Sequence, residues 1–277
     1  MIKVWLNITR PFNVIITGCA VFIGALLTGN ITPLEKIILA ILSAGFICAG
    51  GNVLNDFFDV EIDRINKPTR AIPAGRITKK AALLFSLSLT TIGIIIAIFI
   101  TDKALLLAIS AVVLLIVYNG HLKRNGGIIG NIIVSFTAAL SLIYGGLAVG
   151  KLEGTLFPAI FAFLIHLGRE IVKDIEDISG DRKAKSCSIP MQFGLSKSYY
   201  ICFIPLFLLF ILTPIPYLLH IYNILYLIMV ILSVDSLIIF SFFFFRKKLD
   251  KSHLHKLSNI LKLVMIFGII SLVIGIL

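Results

Sequence analysis

Charge is scarce in this sequence. Of its 277 residues only 14% are Asp, Glu, Lys or Arg, where a soluble domain carries about a quarter. That shortage excludes an ordinary solvated globule. With 58% hydrophobic residues and a mean hydropathy of +1.05, the bilayer is the solvent left for most of the chain. Cysteine is sparse too. Cys19, Cys48, Cys187 and Cys202 show no metal-ligand spacing, and three of them lie in apolar runs, where Cys acts as a small hydrophobe. No Pro/Ser-rich linker, low-complexity tract or polar block of domain size appears, so residues 1–277 read as a single membrane domain. No small-residue cleavage site accompanies the first apolar run, which is therefore expected to be a retained helix.

A transmembrane helix needs roughly 17–25 mostly apolar residues. Such runs predict helices near 12–28, 34–56, 79–100, 103–118, 127–149, 155–175, 197–213, 219–245 and 257–276, with Pro214 and Pro216 stopping the seventh. The expected fold class is all-α, nine transmembrane helices around a central cavity that opens to lipid. With nine spans, 22 of the 25 basic residues share one side, and only Lys36, Lys103 and Lys151 fall on the other. The positive-inside rule makes the basic side cytoplasmic, in a multi-pass protein of the cell membrane. The formal charge of +11 is then mostly topology, and no nucleic-acid partner is needed to account for it. Part of the basic surface remains available to anionic lipid or substrate.

Acids are rarer still, and they cluster. Nine of the 14 lie in two short segments, Asp56–Asp63 and Glu170–Asp181. Both contain D-x-x-D-x-x-x-D, as Asp56, Asp59, Asp63 and as Asp174, Asp177, Asp181, offset by 118 residues, and each follows an apolar run. This register suggests that helices 1–4 and 5–8 form an internal repeat, an arrangement that often places a site at the repeat interface. On a helix, positions i, i+3 and i+7 fall within roughly 60° of one another. Three carboxylates on one narrow face repel unless a cation lies between them. Oxygen donors suit Mg²⁺, which shares its shell with water and substrate phosphates. Two such faces opposite one another would hold Mg²⁺ around a diphosphate. The plainer alternative, solvated helix ends with local ion pairs, explains one motif better than two in register.

These segments resemble the two signature motifs of the UbiA superfamily of intramembrane prenyltransferases. Asn55, Asp59 and Asp63 match its N-x-x-x-D-x-x-x-D, and Asp174, Asp177 and Asp181 match its second motif. Arg70-Ala-Ile-Pro-Ala-Gly-Arg76 resembles R-P-I-P-S-G-R, departing at Ala71 and Ala74. Tyr118-Asn-Gly-His-Leu-Lys-Arg124 with Gly130-Asn131 resembles a Y-x-x-x-L-K-R…G-N loop. The resemblance spans Arg10 to about Gly194; the Gly that often follows the second motif is missing. The wording Arg169-Glu-Ile-Val-Lys-Asp-Ile-Glu-Asp177, with Ile65-Asn66-Lys67-Pro68, is most similar to the archaeal ether-lipid branch.

The resemblance implies a Mg²⁺-dependent alkyl transfer. The geranylgeranyl group of geranylgeranyl diphosphate would pass to the sn-2 hydroxyl of geranylgeranylglyceryl phosphate, releasing diphosphate. Asn55, Asp59, Asp63, Asp174, Asp177 and Asp181 are then the catalytic set, with Asp59, Asp63, Asp177 and Asp181 as metal ligands. Lys67, Arg70, Tyr118, Lys123, Arg124 and Lys173 are the candidates for substrate binding, although positive-inside topology also explains the cations. No Ser/His/Asp triad is present, and ionisation of an allylic diphosphate needs none.

Other residues are ambiguous. Asp56 reads equally as a ligand or a helix-end cap. Asp235, alone in an apolar run, is expected to be hydrogen-bonded between helices, with a functional role as the alternative. His166 is expected to be a buried, hydrogen-bonded imidazole. Tyr144, like Tyr118, reads equally as core packing or as a face near the reacting carbon. The tract Arg246–Lys262 reads as a surface or lipid-facing loop. Two rival functions remain: prenylation of a quinone-precursor ring or haem, and, from another class, divalent-cation transport.

Overall fold

The structure is a computed structural model that describes residues 2–246 and 248–277, and the backbone alone for Arg124 and Ala184. It is all-helical among these residues. The chain forms α1 (Ile2–Ile8), α2 (Pro11–Leu26), α3 (Leu34–Phe58), α4 (Val60–Asn66), α5 (Lys79–Ile98) and α6 (Asp102–Val117). After α6 comes a wider π turn, Tyr118–Leu122, and then α7 (Lys123–Asn125), α8 (Ile128–Ala148), α9 (Leu156–Glu176), α10 (Ile178–Ala184) and α11 (Ile189–Leu212). The rest is α12 (Ile215–Leu218), α13 (Ile224–Met229), a π segment Val230–Asp235, α14 (Ser236–Phe245) and α15 (Lys251–Gly275).

Among the described residues seven helical stretches are long and apolar enough to cross a membrane, and α1 and α2, bent by 50° at Arg10, make an eighth if taken as one. The run expected at 155–175 is helical as α9, but Arg169, Glu170, Lys173, Asp174 and Glu176 make it too charged to qualify by composition. Two expected boundaries move. The seventh helix begins at Ile189, eight residues early, with a break at Gly194, whose φ of 78° is left-handed. The eighth begins late, at Ile224, where Asn223 caps the backbone N–H of Tyr226. It stays continuous to Phe245, with a π segment, Val230–Asp235, inside it.

Helices pack by close backbone approach, as small residues allow in lipid. A Cβ on Gly24 of α2 would lie 2.0 Å from the Leu142 carbonyl oxygen, and one on Gly145 of α8 would lie 1.9 Å from that of Val21. The α3–α5 pair is joined by reciprocal bonds, Ser43 Oγ to the Gly93 carbonyl and Ser86 Oγ to the Gly50 carbonyl, both 2.8 Å. Large side chains such as Leu106 (67% exposed) and Leu232 (70%) face outward, a surface that suits hydrocarbon and not water.

One apolar cluster joins α9, α11 and the α13–α15 segment, and a second joins α2, α3, α6 and α8. Between them lies a cavity of about 500 Å³ walled by residues of both.

Candidate active site

Each acidic motif sits where a long helix ends and a short one begins. α3 stops at Asp59 (φ −82°, ψ 2°), and α9 stops at Asp177 (φ −93°, ψ 7°). Backbone bonds nonetheless continue through both corners: Asp59 N–H to Asn55 and Asp63 N–H to Asp59, at 2.9 and 2.8 Å, then Asp177 N–H to Lys173 and Asp181 N–H to Asp177, at 2.9 and 3.2 Å. The expected single helical face of three carboxylates is therefore corrected. The middle aspartate is a corner in both motifs, and the third carboxylate belongs to the next short helix.

The two corners meet because α4 packs on α10. Asn66 donates to the Asp177 carbonyl (3.3 Å) and accepts from Ser179 Oγ (3.2 Å). Gly180 leaves room for Asn66, whose amide nitrogen would lie 2.2 Å from a Cβ there. The Lys67 ammonium reaches the second motif, 3.0 Å from Asp177 Oδ2. Residues 110 apart in sequence thus share one site.

Every first-motif acid has a cation. Arg70 Nη1 donates to Asp63 Oδ2 (2.6 Å) and Asp56 Oδ1 (3.1 Å), and Arg10 also binds Asp56. Asp56 is therefore neither a cap nor an exposed ligand: it is a buried acid within α3 held by two guanidinium groups. Lys123 donates to Asn55 Oδ1 (2.9 Å) and to Asp59. In the second motif Asp174 accepts from Asn131 Nδ2 (2.8 Å). Burial pushes the Asp63 carboxyl above its ordinary pKa despite the opposing pull of Arg70. Burial likewise raises Asp181, with the Asp177 charge adding to the shift.

Among the described residues no three acids converge closely enough to hold a metal by themselves. The donors are nevertheless hard oxygens in pairs, and Mg²⁺ is usually held by one or two carboxylates with substrate phosphates completing its shell. The residues fit such an ion. The Arg70 guanidinium between Asp56 and Asp63, and the Lys123 and Lys67 ammonium groups on Asp59 and Asp177, mark where positive charge is wanted.

The other candidates separate. Tyr118 is buried on the cavity wall. Lys173 also lines the cavity but pairs with Glu170 (2.7 Å), not with a motif aspartate. The side chain of Arg124 lies outside the described residues. Tyr144 bonds Ser43 (2.8 Å) on the same wall. His166 departs from expectation: it lines the cavity and has no hydrogen bond among the described residues. Asp235 is held as expected, accepting from Thr213 Oγ1 at 3.1 and 3.2 Å. The Arg246–Lys262 tract is mainly helix, because α15 starts at Lys251 behind an Asp250 cap, and Lys262 reaches the cavity wall. Treating that tract as a loop hid Lys262. Arg169 and Asn131 stood inside quoted motifs but had no assigned role.

The cavity runs from Asn52 and Asn55 at the motif corners to Thr213, Tyr226 and Leu272 at its other end. Its size suits a small-molecule site. Asn55 and Arg10 line the cavity beside the cation-paired aspartate corners, and such a polar end on a largely apolar chamber within a helical bundle suits a membrane enzyme site for an amphiphile with an anionic head. The UbiA prenyltransferase family matches residues 15–276, and the chain belongs to that family. It is 36% identical over 276 residues to the digeranylgeranylglyceryl phosphate synthase of Thermococcus kodakarensis, covering 99% of this chain and 98% of that one. With the synthase of the same name from Saccharolobus solfataricus it shares 38% over 278 residues, at 99% and 97% coverage. A solved structure described for digeranylgeranylglyceryl phosphate synthase in membranes superposes with a TM-score of 0.80 at 34% identity, covering 99% and 98%. A UbiA homologue from Archaeoglobus fulgidus bound to GPP and Mg²⁺ shares the fold, with a TM-score of 0.66 at 20% identity over 97% and 99% of the two chains.

Proposed function

We propose that this protein transfers the geranylgeranyl group of geranylgeranyl diphosphate to the sn-2 hydroxyl of geranylgeranylglyceryl phosphate, the second ether bond of archaeal membrane lipids. The observation that carries this reading is full-length similarity to synthases of that name combined with two aspartate corners joined through Lys67 and Asn66. The active site faces the cytoplasm of a nine-span protein of the cell membrane, in which α9 crosses with its charges turned inward and helices 1–4 and 5–8 are repeats. Residues 1–277 act as one domain.

Asp59, Asp63, Asp177 and Asp181 are the residues that would hold Mg²⁺, with Asn55 and Asp174 beside them. When bound, Mg²⁺ neutralises the leaving diphosphate and lowers the barrier to its departure. Lys67, Arg70 and Lys123 exchange their carboxylate partners for diphosphate oxygens when the donor arrives, and Arg124 is a further candidate to bind it. The apolar chamber takes the prenyl tail and keeps water from the allylic cation, and the face of Tyr118 stabilises that cation. The allylic C–O bond breaks with both electrons leaving on diphosphate. The acceptor oxygen bonds the same carbon, and its proton is lost to the medium.

The test is purified protein in lipid vesicles with labelled geranylgeranyl diphosphate and Mg²⁺, offered the glyceryl phosphate acceptor or an aromatic quinone precursor. Ether product from the former supports the reading. Prenylation of the ring alone moves the protein to another branch of the family.

A further inference from the structure

The cavity wall carries a second group of cations that the aspartate motifs leave unused. Arg169 and Lys173 stand one turn apart on α9, and Lys262 projects from α15 into the same cavity. Glu170 is the single acid among the residues lining it. Lys173 takes that carboxylate at 2.7 Å, while Arg169 Nη1 stays 3.7 Å away. The buried Nε of Arg169 has no hydrogen-bond partner among the described residues. Among the described residues Lys262 donates only to the neutral amide of Asn259, at 3.0 Å. Three cations against one carboxylate leave a surplus of positive charge on the wall of a largely apolar chamber. Such a surplus is costly unless an anion joins it, and an orphaned buried donor requires an explanation. Mechanical coupling of α9 to α15 is a poor one, because His255 already contacts Glu176 across that interface at 3.0 Å. By contrast, Lys67, Arg70 and Lys123 each hold a motif carboxylate.

We infer that Arg169 and Lys262, with Lys173, form the site for the acceptor's phosphate, separate from the diphosphate site at the aspartate corners. This rests on the function proposed above. The guanidinium supplies a planar fork for two phosphate oxygens and the ammonium groups supply point charges. Anchoring the phosphate on the α9–α15 wall holds the glyceryl hydroxyl inside the chamber that also receives the allylic carbon. These residues therefore determine which acceptor is used, not how the donor ionises.

The experiment compares wild type, Arg169→Gln, Lys262→Gln and the double variant in vesicles, at fixed Mg²⁺ and geranylgeranyl diphosphate. The acceptors are geranylgeranylglyceryl phosphate and the same molecule without its phosphate. Each single variant should lose roughly ten- to a hundredfold in kcat/KM on the phosphorylated acceptor, the worth of one charge-assisted contact. Its rate on the dephosphorylated acceptor and its KM for the donor should not change. Lys262→Arg should keep the preference. Glycerol phosphate should compete with the acceptor in wild type and not in the double variant. Equal losses on both acceptors, or a preference for phosphate that survives the double change, overturns the inference and leaves the proposed function standing. If the double variant does not fold, Lys262→Gln, at a partly exposed position, decides the matter alone. Wild type that prenylates only an aromatic ring overturns the proposed function and this site together.

Discussion

Arg70→Met tests the proposed exchange of a protein cation for a metal. Arg70 holds Asp63 at 2.6 Å and Asp56 at 3.1 Å, and its side chain is 25% exposed while that of Asp63 is 3% exposed. Two unit charges about 4 Å apart in an effective dielectric near 20 interact by about 4 kcal/mol. Removing one partner of a buried pair costs about 3–5 kcal/mol, because the other is left uncompensated. Solvent at Arg70 screens part of this, so the lower end, about 3 kcal/mol, is the expected loss of stability in chelator. Asp56 keeps Arg10, but Asp63 keeps no cation among the described residues. Its pKa, already raised by burial, rises further. Saturating Mg²⁺ should then stabilise the variant by about 2.7 kcal/mol at a hundredfold excess over Kd, recovering most of the loss. Wild type should gain less, since there Mg²⁺ competes with the guanidinium. The assay is the unfolding midpoint in detergent, with chelator or with Mg²⁺. A variant equally destabilised in both conditions would refute Asp63 as a metal ligand, and one not destabilised at all would refute the buried-pair argument.

Turnover should vanish in excess chelator and return with Mg²⁺; full rate in chelator would overturn the metal requirement. Asp59→Ala and Asp177→Ala should each cost several kcal/mol of transition-state stabilisation, roughly a thousandfold or more in kcat. Lys248→Ala, at an exposed residue paired with Asp250, should leave kcat unchanged on the same membrane side. Asp63 and Asp181 have raised pKa values and, as the proposed metal ligands, must be ionised to bind Mg²⁺, so activity should fall as pH drops through values above the ordinary carboxylate range. Higher Mg²⁺ should move that limb to lower pH, and a limb insensitive to Mg²⁺ would assign it to other groups. Cysteines placed at the exposed positions Arg64 and Lys183, in a background without the four native ones, should label from the cytoplasmic side alone; labelling from opposite sides would sink the proposed topology.

The sequence alone determined the solvent and the chemistry. A chain with so few charges can bury its apolar surface only in lipid, and helices are the structure such runs adopt because every backbone group is satisfied internally. The register of Asp56, Asp59, Asp63 with Asp174, Asp177, Asp181 was legible for the same reason: when acids are rare, their spacing stands out. Partners across the chain were not legible, because they depend on which helix faces touch. Tertiary structure alone decided that Arg10 and Arg70 both serve Asp56, that Lys123 crosses to Asn55 and Asp59, and that Lys67 reaches Asp177. It turned each motif into a corner at its middle aspartate, since packing α4 on α10 requires the long helices to end there. It also made Lys262 part of the cavity and not of a loop. Periodicity specifies which residues share a face of one helix. Only the packing of several helices specifies what that face meets, and the charges here are too few and too widely separated in sequence to pair until the bundle forms.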